Sequence, residues 1–291
     1  MSIVITEKNL LVLESLAKYY VLSRAMIQAI CFPHVRSSRS VCERLRKLKN
    51  AGYISQASME VVLKGQSATP VYHPNRKTAE TLAAAYDNSE FENIYIKPPS
   101  GRLLFHWLEI SRMHHLVDQA VSLSDSVSMP TWYNEWEPIN KDAHRPSDLF
   151  SLYTTLQDKP PISCAPDAGF LIENSDGKRK TFYLEADRGT DSIRRISKKK
   201  PKGYAGLFEN KVHINRHFRI DKENGTNVAK FAILFVTTTK YRRDELVSRA
   251  NNFQEKELWK FAWRDEVKPE TFFYEPIWHG VDSAPQTLVK A

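Results

Sequence analysis

Long apolar runs are missing from this 291-residue chain. The longest, Phe231 to Val236, has strand length and falls far short of the roughly 18 residues a spanning helix needs, which predicts a soluble protein with no membrane partner. Cysteine is scarce and scattered: Cys31, Cys42 and Cys164 have neither the paired spacing of a zinc site nor the even count of a disulfide framework. Met1 to Leu16 lacks the basic, apolar and small-residue order of a secretory leader, so a reduced, cytoplasmic setting is expected. Ten glycines and fifteen prolines exclude collagen-like and low-complexity classes. No Gly-x-Ser-x-Gly elbow, phosphate-binding loop or dinucleotide glycine fingerprint is present, which removes the commonest hydrolase and nucleotide-enzyme readings.

What is present is a folding chain with 42% hydrophobic residues and an uneven charge. Residues 1–80 hold twelve Lys/Arg against five Asp/Glu, and the remainder thirty against twenty-nine, so the net +8 is almost wholly N-terminal. A basic module joined to a nearly neutral one points to a polyanion, with nucleic acid foremost, although a solubilising surface has the same composition.

The basic segment reads as three short helices and a hairpin. Thr6 precedes an apolar stripe at Leu10, Leu13 and Leu16, and Ser23 caps a second helix reaching Ile30. Ser37 or Ser38 caps a third that runs to Lys49, with Val41, Leu45 and Leu48 inward and Arg39, Arg44, Arg46, Lys47 and Lys49 on its other faces. Asn50-Ala51-Gly52 ends it, strands open at Tyr53 and at Val71, and Lys64-Gly65-Gln66 forms the tip between them. The phrase from Arg44 to Ile54 resembles the recognition helix and wing start of winged helix-turn-helix proteins. On that resemblance Ser37, Ser38, Arg39, Ser40, Arg44, Arg46, Lys47 and Lys49 face double-stranded DNA, with Lys64 and Gln66 on the wing. Winged helices also serve as protein-binding modules, and many act as homodimers.

A helix over Arg76 to Leu82 follows, and the aperiodic stretch around Pro98-Pro99 sets an expected boundary between domains 1–97 and 98–291. The second domain opens with a helix over Leu103 to Ser122. His106 and Glu109 share one of its faces, a spacing that suits a metal but suits structural side chains better; His114 and His115, being adjacent, cannot share a face. Strands are expected at Trp132–Trp136, Ala168–Ile172, Thr181–Leu184 and Phe231–Thr237, with Asn174 to Gly177 turning a hairpin. Helices are expected over Ser192–Asn210 and Arg242–Glu255, and an aromatic tail from Trp259 to Trp278 finishes a core or a dimer contact.

The richest local feature pairs Pro166-Asp167 at the start of one hairpin strand with Glu185-Ala-Asp187-Arg-Gly-Thr190 at the end of its partner. Because side chains alternate along a strand, Glu185 and Asp187 point the same way, and with Asp167 they offer three oxygen donors suited to Mg²⁺ or Mn²⁺. This resembles the restriction-endonuclease-like fold, a mixed sheet flanked by helices, and implies Asp167, Glu185 and Asp187 as catalytic metal ligands. The lysine that such nucleases carry two residues after the glutamate is replaced by Asp187; Arg188 or a lysine from residues 198–202 would have to stand in. The alternative is structural: Asp187 closing a turn and Glu185 paired to Arg188 or Arg194. The basic run Arg194, Arg195, Lys198, Lys199 and Lys200 suits a DNA backbone in either case, or a solvated helix face. Tyr204 is a conceivable nicking nucleophile.

Taken in order, the winged helix, the Leu103-Leu-Phe-His106-Trp-Leu108 helix, Pro-Asp-Ala and Leu-Glu-Ala-Asp-Arg-Gly-Thr resemble the replication-relaxation family over most of residues 5 to 240. That resemblance implies a part in plasmid or mobile-element replication and DNA relaxation. The alternatives are an active metal-dependent endonuclease or nickase, and a winged-helix transcriptional regulator whose second domain senses a ligand or dimerises.

Overall fold

The computed structural model describes residues 3–58, 69–139, 143–218, 231–281 and 284–289. Two compact units, Met1–His115 and Leu116–Ala291, divide the chain.

In the first unit, α1 (Glu7–Tyr19) leads through β1 (Leu22–Ser23) to α2 (Arg24–Cys31) and α3 (Ser38–Asn50). The expected cap is made: Ser23 Oγ accepts from Met26 N at 3.2 Å. Gly52, at φ +77°, takes the left-handed turn that ends α3, donating to the Lys49 carbonyl at 2.9 Å. β2 (Ser55–Ser58) and β3 (Pro70–His73) follow, and the sheet order is β1-β3-β2, antiparallel throughout. Lys64 and Gln66 lie outside the described residues. Val12, Leu13 and Leu16 of α1, Ile27 of α2 and Val41, Leu45 and Leu48 of α3 form one core with Ile54, Tyr72 and Leu82. α4 (Arg76–Tyr86) starts on a reciprocal cap between Asn75 and Thr78.

α5 (Gly101–Ser122) begins in this unit and ends in the next. Its first half packs here because Trp107 meets Tyr20 edge-on at 5.4 Å and Ser111 Oγ donates to the Tyr19 carbonyl at 2.6 Å. The compact units therefore divide within α5, between His115 and Leu116. His114 and His115 pack edge-on against Tyr19, and Glu109 pairs with Arg112 at 2.7 Å. No helix among the described residues is long and apolar enough to cross a membrane.

The second unit is built on β4 (Val127–Asn134), β7 (Ala168–Asn174), β8 (Arg179–Ala186), β9 (Phe231–Thr237) and β10 (Trp259–Trp263). Between β4 and β7 come the short α6 (Pro146–Leu149) and a separate hairpin of β5 (Thr154–Gln157) and β6 (Ile162–Cys164); α7 (Ile193–Glu209) links β8 to β9, and α8 (Lys240–Ala250) links β9 to β10. Sheet order is β10-β9-β8-β7-β4. β4, β7 and β8 run antiparallel, while β8, β9 and β10 run parallel through their helical crossovers. The alternate residues Leu171, Tyr183, Phe231, Ile233, Phe235, Trp259 and Phe261 share one core with Ile196, Tyr204 and Leu207 of α7 and Leu246 of α8. On the other face Phe170 stacks on Phe182 at 5.1 Å and meets Phe272.

The aromatic tail thus completes this core: Trp259, Phe261, Phe272 and Trp278 are fully buried. α7 approaches the β5–β6 hairpin through glycines. A Cβ on Gly203 would lie 3.1 Å from the Ser163 carbonyl, and one on Gly206 would lie 2.8 Å from Leu156 Cδ1. That close seat sets which side chains of α7 reach the sheet.

Candidate functional site

On α3 the core positions Val41, Leu45 and Leu48 leave Arg39, Cys42, Arg46 and Lys49 at spacings of three and four, all exposed along one face. Arg39 pairs with Glu43 at 3.5 Å with both side chains largely in water, a contact weak enough to be exchanged for a phosphate. Arg36, just before the helix, is exposed, and Arg24 at the start of α2 reaches Cys42 Sγ with Nη1 at 3.5 Å. Neither arginine stands out in sequence, because each is an isolated charge; the packing of α2 on α3 brings Arg24 to this face.

The other predicted residues of α3 divide. Ser37 caps the helix without a side-chain bond, Ser38 is half-buried, and Ser40 Oγ donates to the Ser37 carbonyl at 3.1 Å. Ser40, Arg44 and Lys47 line a groove shared with residues 3–9. Arg44 is half-buried, its Nη1 donates to Asn9 Oδ1 at 2.5 Å, and its guanidinium lies 5.5 Å from the centre of the Phe32 ring. It ties α3 to α1 and α2.

In the second unit Asp167 immediately precedes β7 and is buried; its Oδ2 accepts from Ala186 N at 2.7 Å. Glu185, on β8, is 3% exposed and both of its oxygens are engaged: Oε2 with Lys200 Nζ at 2.5 Å and Oε1 with the Tyr204 hydroxyl at 2.6 Å. Asp167 and Glu185 thus come together at one end of the sheet. Burial pushes the Glu185 carboxyl up and the charge of Asp167 adds to this, while Lys200 and the Tyr204 hydroxyl oppose it. Burial alone would discharge Lys200, but the two carboxylates overcome it and hold the ammonium charged, above the usual lysine range. Burial likewise raises the thiol of Cys164 beside them.

Asp187 is not part of that cluster. It lies one residue beyond β8, accepts from Gly189 N at 3.1 Å, and forms a two-point pair with Arg242, whose Nε and Nη2 both donate to it. Glu185 meets α7, whereas Asp187 meets α8. The candidate nucleophile Tyr204 is fully buried and donates to Glu185, so no substrate reaches its oxygen in this arrangement.

Of the predicted basic run, Arg194, Arg195, Lys198 and Lys199 are exposed, while Lys200 turns inward. As a place for Mg²⁺ or Mn²⁺, the pair Asp167 and Glu185 has the right donor chemistry, but the Lys200 ammonium already supplies the neutralising cation. An ion there requires Lys200 to release Glu185.

A family model described as replication-relaxation matches residues 13–221. Searches of curated proteins and of solved structures returned no match.

Proposed function

The chain belongs to the replication-relaxation family, and from that membership we propose that it serves plasmid or mobile-element replication and DNA relaxation by docking on duplex DNA. In this reading the first unit is a winged helix. Its element order and its β1-β3-β2 sheet support that assignment, and α3 is the element that enters the major groove. The observation that carries the reading is the row Arg39, Arg46 and Lys49, exposed on one face of α3 with Arg36 and Arg24 beside it. Phosphate contacts release counterions, so duplex affinity is expected to fall steeply with salt, with a log–log slope of about −3 to −5 for three to five contacts. Titrating a labelled duplex across a salt series by fluorescence anisotropy checks this; a flat response would remove α3 as the docking surface.

A second reading, metal-dependent DNA cleavage, is favoured by Lys200. The second unit runs helix, three antiparallel strands, crossover helix, parallel strand, which is the order expected of a restriction-endonuclease-like core. The lysine missing two residues after Glu185 is delivered to the same carboxylate by α7. In that reading Asp167 and Glu185 are the ion's ligands, Lys200 is the electrostatic group at the reacting phosphate, and Asp187 positions α8.

A further inference from the structure

α7 divides its residues sharply. Ile196, Tyr204 and Leu207 enter the core and Lys200 reaches Glu185, while Arg194, Arg195, Lys198, Lys199 and Lys202 stand in water. The exposed residues follow the helical repeat, so they form a continuous cationic stripe. Among the described residues only Arg195 of this stripe has an acidic partner, Asp191 at 3.1 Å, with both side chains more than half exposed.

The N-terminal turn of α8 lies at one end of the stripe. Arg242 Nη2 donates to the Asp191 carbonyl at 2.5 Å, which joins the start of α8 to the residues just before α7. Gly189, at φ +75°, lets the preceding loop press on Thr238; a Cβ there would sit 3.2 Å from the threonine Oγ1. Next to this junction stand Lys240 and Tyr241. Tyr241 is 76% exposed, the most exposed aromatic side chain among the described residues. Burying a tyrosine ring stabilises a fold and leaving it in water forfeits that gain, so the folded unit itself does not account for its position.

A ring with an open face beside a track of cations matches one polyanion better than any other. Bases in a duplex are stacked on one another and offer no face, whereas an unpaired strand offers both a base face and a phosphate track. We propose that this corner of the second unit binds single-stranded DNA, with Tyr241 stacking on a base and Lys240, Arg194, Arg195, Lys198 and Lys202 following the backbone. The choice of DNA over RNA rests on the replication reading above; the preference for a single strand rests on the surface alone.

The test uses the full chain and anisotropy with labelled oligo(dT) and oligo(rU) of about 16 nucleotides, and a duplex for comparison. Tyr241→Ala is expected to weaken oligo(dT) binding about tenfold and leave duplex binding unchanged, while Tyr241→Trp keeps the wild-type value. A variant with Arg39, Arg46 and Lys49 all replaced by alanine should lose the duplex and retain oligo(dT), which separates this surface from α3. No effect of Tyr241→Ala, an equal loss on both DNAs, or loss of oligo(dT) in the α3 variant would overturn the assignment. Tighter binding of oligo(rU) than of oligo(dT) would overturn the choice of DNA.

Discussion

Replacing Lys200 by methionine is expected to destabilise the second unit by about 2–3 kcal/mol near pH 8, and by much less near pH 5. The substitution leaves Glu185 buried and without its counter-charge, which is the costly way to break a buried pair. The figure sits toward the low side for such pairs because a third of the Lys200 side chain is hydrated. The pH dependence follows from the direction of the Glu185 shift. A carboxyl whose pKa is higher in the fold than its ordinary 4.5 binds more protons when folded. Its neutral form is tolerated at low pH, and stability is lost as pH rises from 4.5 toward the raised value. Removing Lys200 moves that raised value further up and deepens the loss. Urea midpoints measured across this range for the variant and the wild type check the expectation, and adding Glu185→Gln should abolish the extra pH dependence that Lys200→Met introduces. An equal loss at both ends would mean that Lys200 acts through packing alone. The same variant decides the cleavage reading: Mg²⁺- or Mn²⁺-dependent nicking of supercoiled plasmid that disappears in Lys200→Met supports it, and a wild-type chain that leaves supercoils intact ends it.

The second large effect is expected on α3. Alanine at Arg39, Arg46 and Lys49 together should flatten the salt slope by about 3 and weaken duplex binding at least about a hundredfold at physiological salt. All three side chains point into solvent, so unfolding midpoints should move little. Arg44→Ala is expected to do the reverse, leaving the slope nearly intact and lowering stability by about 1–2 kcal/mol, because its guanidinium is spent on Asn9 and Phe32. Parallel salt titrations and urea melts separate the two classes. A slope unchanged in the triple variant, or flattened by Arg44→Ala alone, would exchange their roles.

Much of this was legible in the chain. Ser23, Gly52 and the Asn174–Gly177 turn act through local backbone chemistry, so the helices of the first unit and the β7–β8 hairpin can be read directly. The β5–β6 hairpin cannot: its strands have four and three residues, too few for alternation to register. β10 was hidden because Trp259, Phe261 and Ala262 are all buried; such a run reads as an apolar tail, and only the parallel neighbour β9 makes it a strand. At the carboxylate cluster the sequence shows Asp167 and Glu185 but points to Asp187 as the third member. The pull of Arg242, fifty-five positions later, is a tertiary event. Lys200 did leave a local signal. It falls on the helical repeat of Ile196, Tyr204 and Leu207, the one lysine of its run that shares the apolar stripe. Arg44 is the converse case, since a basic residue beside the core stripe of α3 looks the same whether it reaches out or folds back.

In the proposed docking the Arg39–Lys49 face of α3 lies against duplex DNA, and Cys42 is placed to report it. Its thiol is exposed on that face between Arg39 and Arg46, whereas Cys31 is half-buried and Cys164 is buried. The decisive measurement is the rate of maleimide alkylation at Cys42 with and without saturating duplex, read by peptide mass spectrometry with Cys31 as the internal reference. Docking through α3 predicts that duplex slows modification of Cys42 by about tenfold or more and leaves Cys31 unchanged. A Cys42 rate that stays the same while the duplex is demonstrably bound would contradict it.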